Sequence, residues 1–386
     1  MEKKIGLVTC YWVKNFGSAL QSFATQQMFD DLGIKNEAID YSVSREPKIR
    51  RIGIILRKLQ YPSVRKAKFS QLIKKRRENQ SEEYKIGIRD RSKAFDNFVE
   101  KYIRKSCRVG SRKDLDRISR QYSAIVVGSD QLWLPENIEE DYYTLNWCAP
   151  RVKRISYSTS FGVASIPRSA RKKAKTFLQQ LDAIAVREIS GANIVDELTG
   201  REAEVVLDPT LMVDREKWDR IAGNDRLIAE KYIFCYFMAP GSNKRAFANQ
   251  LKERTNYKIV TLKHIDEYIE TDEAFGDYSP YDIDPAKFIN LIKHAEYVCT
   301  DSFHCSVFST IYHREFFVFN RYQAGAKGST NTRLESFLQL MGIQNRLIKE
   351  GDENYEKIDY GLVDNRMKDL RESSFEFLKN ALREII

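Results

Sequence analysis

Short apolar runs recur along the chain, and most end in a polar or glycine-containing turn that leads into a stretch with helical spacing. The first run covers 5–9. From 18 to 32, Leu20, Phe23, Ala24, Gln27 and Met28 fall on one side of a helix, Gly33 stops it, and 34–40 starts a second strand. Strand, glycine-containing turn and helix in that order predict a parallel sheet with a ligand site at the carboxyl ends of its strands. Further strands are predicted at 124–127, 154–157, 183–186 and 204–207. A second series follows, with strands at 232–238, 258–262, 296–299 and 315–319. Its helices are placed at 243–254, 285–294 and 304–312, with Pro285 suited to a first helical turn. The pattern therefore predicts an α/β chain of two Rossmann-like lobes with a cleft between them. The first lobe spans 1–213 and the second 214–363. A final helix over 364–386, with Leu370, Phe375, Phe377, Leu378 and Leu382, would pack back on the first lobe. Between about 42 and 116 the rhythm breaks: the segment is basic, helical in pattern and poor in strand signals, as a helical insertion in the first lobe would be.

Length and composition agree with this division. The chain has 386 residues, enough for two domains of about 150–200 residues each. The net charge of +10 is uneven, because 45–77 holds thirteen Lys or Arg and one acid, Glu46. A solvated helical face is the simplest reading of such a run; an anionic lipid surface and nucleic acid are the sharper ones. Without regularly interleaved aromatics or a recognition motif, nucleic acid is not expected as a partner. The six cysteines show no CxxC spacing, so neither a zinc site nor a disulfide framework is expected, and no metal is. The apolar run after Lys4 is shorter than a signal-peptide core, and no eighteen apolar residues are consecutive. A cytoplasmic location follows as the expectation, with 45–77 available for peripheral contact with the inner face of the membrane. Aromatic residues reach 12%, which suits a sugar-like substrate or simply a Tyr-rich surface.

Five polar clusters share one slot, directly after a predicted strand: 11–18, 128–131, 158–162, 187–188 and 301–304. Strand ends of a parallel sheet converge on one edge, so these clusters would line a common crevice. Gly17 would let the backbone approach a ligand, or Ser18 would merely cap the helix. No GxGxxG or GxxxxGKS pattern occurs, so a standard nucleotide phosphate loop is not supported. In Thr300-Asp301-Ser302-Phe303-His304 a strand delivers an acid and a hydroxyl to the start of a helix, where an anion is favoured and His304 could exchange protons near neutral pH. Arg187 and Arg333 are each either a structural ion pair or a bidentate clamp on a carboxylate or phosphate.

Taken together these stretches resemble the polysaccharide pyruvyl transferase family: Asn15-Phe16-Gly17-Ser18-Ala19-Leu20-Gln21, Gly128-Ser129-Asp130-Gln131-Leu132-Trp133, Ser160-Phe161-Gly162, Val186-Arg187-Glu188, Asp208-Pro209-Thr210 and Thr300 to His304. The basic segment 42–116 lies outside these motifs. The resemblance implies a glycosyltransferase-B-like fold. It implies transfer of a pyruvyl group from phosphoenolpyruvate, the donor substrate, to two hydroxyls of a glycan, lipid-linked or polymeric, during cell-surface or capsular polysaccharide synthesis, with no further cofactor. A nucleotide-sugar-dependent glycosyltransferase of the same fold is the alternative. On this reading His304 is the acid/base, and Asp301 orients it or polarises a hydroxyl. Arg187, Arg333 and Ser302 face the donor, and Asn15, Gly17, Gln21, Ser129, Asp130 and Ser160 contact donor or acceptor. Many members carry arginine where this chain has Ser302; Arg333 or Lys327 would then supply the missing charge.

Overall fold

The computed structural model describes residues 4–264, 268–321, 332–349, 356–383 and 385. The first lobe is built on six parallel strands: β1 (Lys4–Val8), β2 (Lys35–Ala38), β3 (Ala124–Val127), β4 (Lys153–Thr159), β5 (Ala183–Val186) and β6 (Glu204–Val205), in the order β2-β1-β3-β4-β5-β6. Among the described residues the second has four, β7 (Tyr232–Tyr236), β8 (Lys258–Thr261), β9 (Tyr297–Thr300) and β10 (Glu315–Val318), ordered β10-β9-β7-β8 and again parallel. Helices cover both faces of such sheets, so the inner strands must be apolar on both sides. β3 (AIVV) and β7 (YIFCY) are accordingly buried at every position.

The helix Phe16–Asp31 starts two residues before the predicted position, because Asn15 and not Ser18 is its cap: Asn15 Oδ1 accepts from Ser18 N at 3.3 Å. Nearly every residue of this helix is buried, since it is wedged between the lobes. Phe16 stacks on Phe288 of the second lobe, with centroids 4.4 Å apart and planes at 5°. Phe23 meets Trp218 at 5.6 Å, and Trp218 meets Phe308 edge-on at 4.9 Å. Its apolar side chains pack toward both lobes, while the buried Gln21, Ser22, Thr25 and Gln26 are hydrogen-bonded, so the helix can serve as core for both sheets.

The segment between β2 and β3 is helical, with helices Lys48–Lys58, Pro62–Gln80, Glu82–Tyr102 and Arg112–Ser119. It is not uniformly solvated. Arg91, in the third of these helices, is fully buried and donates Nε to Tyr281 O at 2.9 Å and its terminal nitrogens to the carbonyls of Lys263 and Pro280. A Cβ on Gly87 would lie 2.5 Å from the Tyr281 ring. This helix therefore straps the first lobe to the second. The helix Tyr360–Leu382 runs back to the first lobe, where Ser374 Oγ accepts from Leu207 N at 3.0 Å and Arg371 Nε donates to Leu211 O at 2.5 Å.

Replacing Arg91 by leucine strips three half-buried carbonyls of one charged donor. The variant is expected to lose about 2–4 kcal/mol of stability, read as a lower denaturant midpoint, whereas Arg89→Leu, on the exposed side of the same helix, leaves the midpoint in place.

Candidate active site

The carboxyl ends of the two sheets meet at a cavity of about 720 Å³. The loop after β1 supplies Tyr11, Trp12 and Asn15, and the turn after β3 supplies Asp130. Across the cavity the turn after β9 supplies Ser302, Phe303 and His304; Arg321 follows β10, and Arg333 opens the helix Thr332–Met341.

His304 is seated by its neighbours. Ser302 caps the helix Phe303–Ile311, its Oγ facing Cys305 N at 3.5 Å, and so places His304 in the first turn. The ring packs against Gly17 so closely that a Cβ there would sit 1.9 Å from Nδ1. Gly17 thus makes room for the imidazole of the opposite lobe, whereas the sequence suggested room for a ligand. Nε2 is buried without a hydrogen-bond partner among the described residues and lies 3.7 Å from Asp208 Oδ2.

Asp208 is fully enclosed. Its Oδ2 accepts from Ser129 Oγ at 2.8 Å and Arg187 Nη1 at 3.0 Å, and its Oδ1 accepts from Thr210 Oγ1 at 2.6 Å and Thr210 N at 3.0 Å. Burial by itself would raise this carboxyl, but His304, Arg187 and Thr210 outweigh it and hold it far below the usual range. Asp130 is a second such acid: against the cost of burial, Arg187, His304 and Arg333 keep it at about 2. Its Oδ2 accepts from Ser18 Oγ at 2.7 Å.

The expected site residues divide into two groups. His304, Ser302, Arg333, Asn15 and Asp130 line the cavity. Behind them, Gln21 Oε1 accepts from Ser129 N at 3.1 Å, Ser129 holds Asp208, and Ser160 donates to Glu188 Oε1 at 2.8 Å. These three are fully buried and brace the turns, so a direct substrate contact is not where the fold puts them. Asp301 faces away from the role expected of it. Its carboxylate accepts from Lys244 Nζ at 2.5 Å, Met238 N at 2.6 Å and Ala239 N at 3.2 Å, closing the loop after β7, and the acid facing His304 is Asp208. Arg187 lies among Asp208, Asp130 and Glu188 and over the Phe303 ring at 4.4 Å; it is a counter-ion beneath the cavity rather than part of its wall.

Three arginines among the described residues line the cavity, Arg108, Arg321 and Arg333, and of these Arg333 is buried. Burial, reinforced by Arg187 and Arg321, pulls its guanidinium down to about 9, so it is charged at neutral pH but poorly compensated. Asp130 is 4.0 Å away, and Nε has no hydrogen-bond partner among the described residues. An anion in the cavity would relieve this. Lys327 lies outside the described residues. Asp208 and Arg321 follow β6 and β10, so the strand-end rule that singled out Asp301 could have found both; the stack of Trp12 on Tyr143 carried no such signal. Among the described residues, no group of three or more His, Cys, Asp or Glu is arranged to hold a metal ion.

The family model described as polysaccharide pyruvyl transferase matches residues 15–322, running through the inserted helices that the sequence motifs had left out. No protein among the curated sequences matches the chain. Among solved structures, one named as a UDP-N-acetylglucosamine 2-epimerase from Listeria monocytogenes is similar over 97% of each chain, with a TM-score of 0.50 and 9% identity. A UDP-N-acetylglucosamine 2-epimerase from Rickettsia bellii (TM-score 0.48, 9% identity, 98% of each chain) and the glycosyltransferase SnogD from Streptomyces nogalater (0.47, 10%, 100% of this chain and 99% of that one) are also similar. At such identity the likeness is one of fold, and the fold is the two-lobed, glycosyltransferase-B-like one.

The folded-state pKa of Asp130 lies below its unfolded value of about 4, so its contribution to stability is fully present above about pH 4 and is lost as pH falls through about 2. Urea unfolding of wild type and Asp130→Asn should therefore show a constant stability gap from neutral pH to about pH 5. The gap should narrow by about 2 kcal/mol toward pH 2. Asp208 loses its contribution at still lower pH.

Proposed function

This chain belongs to the polysaccharide pyruvyl transferase family, and on that premise we propose that the cavity between its lobes moves the pyruvyl group of phosphoenolpyruvate onto two hydroxyls of a sugar unit. The observation that carries this reading is a buried, poorly compensated Arg333 and His304 on one cavity wall, with Asp208 behind the imidazole. Phosphoenolpyruvate brings two anionic groups and an alkene that must be protonated, and these are the demands that such a wall meets.

The reaction balances as follows. A proton adds to the methylene carbon, leaving an oxocarbenium-like centre at the adjacent carbon. A sugar oxygen bonds there and gives up its proton. The carbon–oxygen bond to phosphate then breaks, and a second sugar oxygen closes the ketal. Of the two hydroxyl protons released, one balances the proton taken up by carbon and the other leaves with phosphate or solvent. His304 is the group that donates and accepts these protons. Asp208 positions the imidazole and stabilises its charged form, as a buried carboxylate beside a histidine does. The donor's carboxylate and phosphate face Arg333 and Arg321, aided by the positive end of the helix Phe303–Ile311. Arg333 thereby supplies the charge missing at Ser302: its helix packs on that of His304 through Phe303 and Phe337, whose centroids are 5.6 Å apart. On the acceptor side Trp12 is 40% exposed and stacked on Tyr143 with planes at 13°, a flat apolar surface suited to a sugar ring. The acceptor is a glycan, lipid-linked or polymeric, of the kind used in cell-surface polysaccharide synthesis.

Phosphate release from phosphoenolpyruvate, measured against lipid-linked acceptors carrying galactose, mannose or glucosamine, tests the whole reading. His304→Ala should lower kcat by about 10²–10⁴-fold. Gly17→Ala, which pushes the ring out of place, should act in the same direction with the fold intact. Arg333→Ala should act mainly on the KM for phosphoenolpyruvate and Trp12→Ala on the KM for the acceptor. A thermal midpoint raised by nucleotide sugars and unmoved by phosphoenolpyruvate would replace pyruvyl transfer with glycosyl transfer.

A further inference from the structure

Two of the inserted helices carry large apolar side chains on their outer faces. In Lys48–Lys58, Ile49, Ile52 and Leu56 follow each other at spacings of three and four, which puts them on one side. They are 87%, 48% and 64% exposed, while Ile54, on the opposite side, is buried against the protein. In Pro62–Gln80, Phe69, Leu72 and Ile73 form a second exposed group, with Phe69 at 64% and Leu72 at 67%. Exposed lysines and arginines accompany both groups: Lys48 and Arg51 beside the first, Arg65, Lys66 and Arg76 beside the second. Of the two acids on or beside these helices, Glu46 is buried and bonded to Tyr41 and Arg50, and Glu78, near the end of the second, is half-buried and paired with Lys74, so the outer surface is dominated by cations.

We propose that this helical pair is a docking surface for an anionic lipid bilayer, with its apolar side chains entering the headgroup layer and its cations meeting the lipid phosphates. The partner must be negative and also offer apolar depth. A nucleic acid provides the charge without the depth, and a second copy of this chain would set exposed lysines and arginines against their like. Anionic lipid provides both, and an apolar stripe flanked by Lys and Arg is the pattern of a helix lying in the membrane interface. The pair is held in place at its root. Arg57 and Tyr61 reach Glu139 at 3.3 and 3.1 Å, Lys58 pairs with Glu140, and Ser63 bonds Glu136 at 2.8 Å. Glu140 lines the cavity between the lobes, as do Tyr41, Ser42 and Val43, which lead into the first of these helices. Docking would thus set the cavity mouth next to the bilayer, within reach of a substrate embedded there. The inference stands on the helices alone and survives even if the donor is not phosphoenolpyruvate.

The test is co-sedimentation of the full chain with phosphatidylcholine vesicles, with and without phosphatidylglycerol. Binding is expected only to the anionic vesicles and should weaken as salt rises. The double variants Leu56→Glu/Phe69→Glu and Arg51→Glu/Lys66→Glu should each lower the affinity by about tenfold or more. Melting temperatures should not change, because these side chains are exposed. Equal binding to neutral vesicles, no binding at all, or binding unaffected by the apolar variant would overturn the proposal. So would a lipid-free dimer that Leu56→Glu splits, or tighter binding to an oligonucleotide than to anionic vesicles at the same salt.

Discussion

The carboxylate of Asp208 is the group on which the site depends. It has no exposure and yet remains charged, because Ser129, Thr210 and Arg187 of its own lobe surround it and His304 of the other lobe faces it. Removing a partner from such a buried cluster costs about 3–5 kcal/mol, since the charge left behind has no water to turn to. The consequence reaches past the acid itself. Arg187 is held by Asp208 and in turn lies over Phe303, the residue before His304, so one ion pair sets the floor under the second lobe's helix. Asp130 repeats the arrangement at the wall, facing Arg187 and Arg333.

This charge cluster would be ineffective if the lobes could slide. The helix Phe16–Asp31 prevents that from inside, with Phe16 stacked on Phe288 and Gly17 against the His304 ring. The helix Glu82–Tyr102 prevents it from outside, through Arg91 and its three carbonyl partners. Part of the insertion is therefore structural, although it interrupts the strand–helix rhythm and matches none of the motifs. The other part, the helices Lys48–Lys58 and Pro62–Gln80, contributes almost nothing to the core and keeps its apolar side chains outside. One segment thus holds a buried strap and an outward-facing helical part that its basic composition does not separate. No helix among the described residues is long and apolar enough to cross a membrane.

Much of the architecture was legible because parallel strands buried on both faces leave continuous apolar runs, and the polar residue after such a run must sit at the sheet edge where ligands bind. That reasoning placed Asp130, Ser302 and His304 at the cavity. It could not choose between acids occupying equivalent slots. Asp301 and Asp208 both follow strands, yet Lys244 and two backbone N–H groups claim the first, and the second is left to face the histidine. Arg187 and Arg333 are likewise indistinguishable as clamp candidates in the sequence; in the fold three carboxylates surround the first and a cavity opens beside the second.

By itself, then, the sequence determined the two sheets, the edge on which chemistry gathers and the histidine that opens a helix there, because strand and helix periodicity and strand-end polarity are local properties. Only the tertiary structure decided which acid meets His304, which arginine faces the cavity, why position 17 must be glycine and which inserted helix is core. Each of these is a contact between residues far apart in the chain, settled by competition for partners inside a low-dielectric interior, and no local pattern records the outcome of that competition.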